Sequence, residues 1–75
     1  MNRISYNAKD IGLRIRRKRQ VLQMSQEKLA EEADMSMKYI SLIELGKHTM
    51  SAEILSNISI ALSISTDYLL YGTDK

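Results

Sequence analysis

The sequence predicts a single all-α domain of five short helices. Three observations predict it. Proline is absent and glycine occurs three times in 75 residues, which disfavours a loop-rich or linker-rich chain. Apolar residues recur at helical spacing in successive windows, beginning with Ala8, Ile11, Ile15 and Leu22. Each window follows a residue suited to cap a helix: Asn7, Ser25, Ser36, Ser51 and Ser65. Seventy-five residues suffice for one small domain over 1–75, with its core over about 8–72.

Asn7 opens the first helix, with Asp10 three residues on in a capping-box relation. That helix runs to about Leu22, and its basic residues lie toward the C-terminal half, where the helix dipole favours them. Ser25 opens the second helix. Gln26 and Glu27 fill its first turn, and Leu29, Ala30 and Ala33 form its inner face. Ala33, Asp34 and Met35 separate it from Ser36. The third helix spans about Met37 to Leu45, with Ile40 and Ile43 inward, and Gly46 ends it in a left-handed conformation. Lys47 to Met50 form a loop. Ser51 opens a fourth helix with Ile54, Leu55, Ile58, Ala61 and Leu62 at helical spacing, and Ile64 lies in the connection. Ser65 opens a fifth, Thr66 to Tyr71, carrying Leu69 and Leu70 and ended by Gly72. Thr73, Asp74 and Lys75 are expected to fray. The alternation Ile58-Ser59-Ile60 and Ser63-Ile64-Ser65-Thr66 leaves a strand as the minor alternative there.

Charge is unevenly divided. The net value is +2. Residues 1–20 hold Arg3, Lys9, Arg14, Arg16, Arg17, Lys18 and Arg19 against Asp10, a local +6. Residues 21–35 carry −3, residues 36–50 carry +1 and residues 51–75 carry −2. A basic cluster of this kind points to a phosphate backbone, an anionic membrane surface or a solvated face.

Composition narrows the classes further. With no Cys there is no disulfide and no thiolate metal site, and a single His48 makes an all-nitrogen site improbable. Four Tyr are the only aromatics, a poor supply for stacking single-stranded nucleic acid. No apolar run approaches the roughly 20 residues of a membrane span. Met1 to Asp10 is polar and reads as no signal peptide, so a cytoplasmic chain is expected. No nucleophile–base constellation, phosphate loop or metal-ligand set is present, so neither an enzyme nor a cofactor is expected.

Two charged residues fall on apolar stripes. Arg19 lies four after Ile15, and Glu44 lies four after Ile40. Charged residues are rarely buried unless paired. The pattern predicts that they pair with each other, since Arg can grip a carboxylate with two parallel bonds and so fix two helices. The alternative is that both reach solvent at the stripe edge.

Residues 25–46 read as two short helices joined by a tight turn, a helix-turn-helix pattern. The stretch Ser25-Gln26-Glu27-Lys28-Leu29-Ala30-Glu31-Glu32-Ala33, then Met35-Ser36, then Ile40-Ser41-Leu42-Ile43-Glu44-Leu45-Gly46-Lys47 resembles the Cro and lambda-repressor-like group, the XRE family. Arg14-Ile15-Arg16-Arg17-Lys18-Arg19 and Ala61 to Gly72 resemble that family's first and last helices. The resemblance covers about residues 8–72. It implies a five-helix lambda-repressor-like domain, an ion pair between Arg19 and Glu44, and a duplex-DNA-binding transcriptional regulator of the repressor type.

By this resemblance the third helix enters the major groove. Its inward face is Ile40, Ile43 and Glu44, so Met37, Lys38, Ser41 and Leu42 face out as candidates for base contact. Lys38 can donate to guanine O6 and N7, whereas Met37 and Leu42 offer apolar contact. Gln26 corresponds to the family's phosphate-clamping Gln, with Arg16, Arg17, Lys47 and His48 as further phosphate contacts. The family commonly binds as a symmetric dimer, and Leu69, Leu70 and Tyr71 are the candidate dimer contact. No small-molecule ligand and no membrane partner is expected. Without a separate sensing domain, control is expected to act through dimerisation, a partner, degradation or abundance.

The sequence departs from the family at four positions. Met37 and Leu42 stand where long polar side chains are frequent, Leu45 where Asn is common, and Lys28 where an acid is common. The apolar trio Met37, Leu42 and Leu45 supports a rival reading, a protein-interaction module or antitoxin-like accessory factor on the same fold. Tyr39 reads as packing at the helix edge, and His48 can equally be a plain loop residue.

Overall fold

Each helix begins where a short polar side chain takes up a backbone N–H that the helix itself leaves unbonded. The computed structural model describes residues 7–73. Arg3 of the basic segment, and Asp74 and Lys75 with their expected fraying, lie outside the described residues. Asn7 Oδ1 accepts from the Asp10 N–H at 3.0 Å and opens α1 (Ala8–Val21). Ser25 Oγ accepts from Lys28 at 2.9 Å and opens α2 (Gln26–Ala33). Ser36 does the same for α3 (Met37–Glu44), Ser51 for α4 (Ala52–Leu62) and Ser65 for α5 (Thr66–Tyr71).

The helix ends are partly unexpected. Gly46 and Gly72 adopt left-handed backbone, at φ +76° and +79°. Asp34 and Ser63 do so as well, at +61° and +57°, without being glycine. Both sit in paired end bonds: Met35 N–H to Ala30 O at 2.8 Å, and Ile64 N–H to Ser59 O at 3.0 Å. These bonds satisfy carbonyls the helix leaves free and hold a conformation that L residues otherwise avoid. Among the described residues there is no strand. The alternating segments 58–60 and 63–66 are instead the end of α4, its turn and the start of α5, with Ile58 fully buried and Ile60 outward.

The core draws on every helix. Ile11 and Ile15 of α1 meet Leu29, Ala30 and Ala33 of α2, Ile40 and Ile43 of α3, Leu55, Ile58 and Leu62 of α4, and Leu69 of α5. Burial of each large aliphatic side chain contributes about 1.5–3 kcal/mol relative to exposure. One expected stripe residue is not there. Leu22 lies beyond the end of α1, exposed, because the chain turns at Gln23 with φ +56°. Met24, two residues on, packs against the core instead.

Two contacts set how α1 lies across the other helices. Gly12 is buried, and a Cβ there would collide with the Ile43 carbonyl oxygen and stand 2.9 Å from that of Glu44. The backbone of α1 therefore rests directly on the last turn of α3. Arg14 reaches the other way. Its Nη1 donates to Leu69 O at 2.8 Å and Leu70 O at 3.3 Å, closing the C-terminal end of α5 against α1.

Candidate nucleic-acid interface

The third helix divides as its spacing predicts. Ile40, Ile43 and Glu44 are buried. Met37 and Lys38, in its first turn, are exposed, while Ser41 and Leu42 are half-buried on the same outer side. Leu45, just past the helix, is 56% exposed. Tyr39 is half-buried against the core, and its ring meets His48 edge-on at 5.2 Å between centroids.

Behind that helix lies a small polar network. Arg19 Nε meets Glu44 Oε2 at 2.6 Å, and Arg19 Nη2 donates to Glu44 Oε1 at 3.0 Å. The two side chains retain only 12% and 3% of their exposure. A third donor of Arg19, Nη1, bonds Met24 O at 2.8 Å and holds the α1–α2 turn. The hydrogen bond to Glu44 raises the Arg19 pKa, with burial opposing and the carboxylate charge assisting. Gln26 joins the network: its Nε2 donates to Glu44 Oε1 at 3.0 Å. One carboxylate thus accepts from α1 and from the first residue of α2. Among the described residues, no buried side-chain nitrogen or oxygen lacks a partner.

This network floors a surface cleft of about 240 Å³ lined by Arg16, Arg19, Gln26, Ser41, Glu44 and Leu45. The cleft brings together residues of α1, α2 and α3. Of the expected phosphate contacts, Arg16 and Gln26 line it, together with Ser41 of the expected base contacts. Arg17, Lys47 and His48 are exposed but lie outside its walls. Among the described residues, no group of three or more His, Cys, Asp or Glu is arranged to hold a metal ion. No helix among them is long and apolar enough to cross a membrane.

One expected site residue must be corrected. Leu69 is fully buried in the chain's own core and has no surface to give a second copy. Its spacing in α5 turns it inward between α1 and α4. Leu70 is half-buried and Tyr71 is 43% exposed, so an outward face of α5 persists without it. Sequence reasoning also missed Arg14, Gly12 and the bond from Gln26 to Glu44. Each depends on partners 18 or more residues away, and no local pattern marks them.

Five helices with a capped helix-turn-helix, a buried Arg–Glu bridge behind the outer helix and a basic first helix define a lambda-repressor-like DNA-binding fold. A helix-turn-helix family model matches residues 15–69, and the chain belongs to this XRE-type family. A transcriptional regulator from the ATPase CF(0) region of Rhodospirillum rubrum is 36% identical over 65 residues, 87% of this chain and 60% of that protein. The chain therefore spans about three fifths of that relative's length. The P22 c2 repressor, solved with a synthetic operator, superimposes with a TM-score of 0.81 at 36% identity, over 84% of this chain and 96% of that one. The restriction-modification controller protein C.AhdI of Aeromonas hydrophila gives a TM-score of 0.81 at 26% identity, over 87% of this chain and 98% of that one. The fold is that of helix-turn-helix transcriptional regulators.

Proposed function

We propose that this chain binds duplex DNA sequence-specifically as a homodimer, acts as a transcriptional repressor in the cytoplasm, and reads the major groove with α3. The shared cleft carries the reading: Arg16 of α1, Gln26 at the start of α2 and Ser41 of α3 line one surface. Phosphate donors and a base-facing residue must lie on one side for a helix to enter a groove in register. The P22 c2 repressor, similar in fold and crystallised on an operator, supports the same assignment.

In this reading Lys38 supplies hydrogen-bond readout, and Met37, Ser41 and Leu42 add close contact to base edges. Arg16, Arg17, Lys47 and His48 neutralise phosphates. Gln26 grips one phosphate with its side chain and the free N–H groups of the first helical turn. Leu70 and Tyr71 form the remaining dimer patch on α5. Selection from random duplexes at a fixed, stated salt tests the proposal. A palindromic consensus whose half-sites lie about 34–36 Å apart is expected. Recovery of no enriched sequence, with no salt-sensitive binding of any duplex, would reject it.

The exposure of Met37 and Leu45, both above half, favours a second reading, a protein-interaction module of the antitoxin or accessory-factor kind. It predicts that replacing both by polar residues abolishes partner capture and leaves duplex binding as weak as before.

A further inference from the structure

We propose that Glu44 is a positioning residue for DNA binding: through its Oε1 it holds the Gln26 amide in a fixed place at the mouth of the cleft. This rests on the phosphate role assigned to Gln26 above and assigns a second task to the buried carboxylate.

The geometry carries it. Glu44 Oε2 is taken by Arg19 Nε, and Oε1 is shared between Arg19 Nη2 and Gln26 Nε2, both at 3.0 Å. The guanidinium cannot rotate away, because its Nη1 is bound to Met24 O. The carboxylate is therefore clamped from behind, and the second bond accepted by its Oε1 comes from α2. A glutamine on a helix surface has three rotatable bonds and samples many positions. Here one of its two amide hydrogens is committed inward, so the other has one direction left. Gln26 is half-buried, whereas Gln20 and Gln23 of the same chain are exposed. Ordering a donor before a phosphate arrives removes the entropy loss from the binding step. Without the carboxylate, the amide must be ordered by the DNA itself.

The test separates this role from simple stability. Replacing both members of the ion pair by apolar residues of similar size, Arg19→Met with Glu44→Leu, leaves net charge unchanged and is commonly tolerated. This pair of changes removes the acceptor while keeping Gln26. The folded double variant is expected to bind a random-sequence duplex about fivefold more weakly than the parent, the size of one lost hydrogen bond. Adding Gln26→Ala should then cost nothing further, although Gln26→Ala costs a similar factor in the parent. Equal losses for Gln26→Ala in both backgrounds would overturn the proposal, since independent residues add.

A measurement on the unmodified protein stands apart from DNA. In its free state, the side-chain amide of Gln26 should show 15N relaxation close to that of the rigid backbone, unlike Gln20 and Gln23. A Gln26 amide as mobile as those two would reject the positioning role even if DNA binding is strong. A rigid Gln26 in a protein that binds no duplex would instead sink the phosphate assignment and leave the Glu44 contact standing.

Discussion

Lys38 and Glu44 sit six residues apart and ask different things of the protein. Lys38 is exposed in the first turn of α3 with no carboxylate beside it in the described ion pairs. Lys38→Ala should lower affinity for the selected sequence by about tenfold, the value of one good base contact of 1–3 kcal/mol, and change random-duplex affinity less. Titrations of both duplexes at one salt check this; equal losses would make Lys38 a phosphate contact. Glu44 is buried against Arg19, and Glu44→Gln leaves a guanidinium without its countercharge. Arg19 keeps 12% of its side-chain exposure, so a loss short of the about 3–5 kcal/mol of a fully buried pair is expected, read by thermal or urea unfolding. The raised Arg19 pKa gives that loss a pH signature. A cation whose folded-state pKa is raised contributes fully below its unfolded value, and the contribution fades only as pH passes the folded value. For Arg19 both values lie beyond the working range, so the difference between Glu44→Gln and the parent should be flat from about pH 7 to 9. A difference that shrinks steadily across that interval would point to another titrating group.

The helices were largely legible in the sequence because their signals are local. Asn7 and the four serines each act on an N–H three residues away, and Gly46 and Gly72 end helices by their own backbone freedom. The Arg19–Glu44 pair was legible for a different reason: both charges break an apolar stripe, and burial forces a partner. The left-handed ends at Asp34 and Ser63 were not legible, since neither residue requires that conformation and only the surrounding bonds impose it. Ser63→Gly should therefore raise stability by about 0.5 kcal/mol, the relief of left-handed strain less the added freedom of the unfolded chain. A lower melting temperature in that variant would show that the Ser63 side chain contributes more than its backbone costs. The inward turn of Leu69 was missed because Leu69 and Leu70 are equally apolar, and in so short a helix spacing alone does not say which one meets the core. The close approach at Gly12 was missed because a helical glycine has no local signature. Gly12→Ala should shift or unfold α1 against α3, and a circular dichroism melt within about 1 °C of the parent would contradict that contact.

As a whole, the molecule concentrates its basic residues on α1 and its acidic ones on α2. The basic residues Arg16 and Arg17 lie on α1, while Glu27, Glu31 and Glu32 lie on α2, where Lys28 meets Glu31 at 3.9 Å and Glu32 at 3.4 Å. The net +2 is thus a poor measure of the field near the cleft. Neutralising Arg16 and Arg17 together should reduce the slope of log affinity against log salt by about 2, one for each phosphate contact. A slope unchanged within error would move the phosphate contacts elsewhere on the chain.

The bond from Arg14 to the end of α5 joins residues 55 and 56 positions apart. It closes one of the longest loops the chain can form, and contacts of that separation are expensive to make early. Formed late, it belongs to the barrier for leaving the native state rather than to the one for reaching it. Arg14→Ala should accelerate unfolding severalfold and leave the refolding rate nearly unchanged, which makes this single guanidinium a latch on the lifetime of the fold.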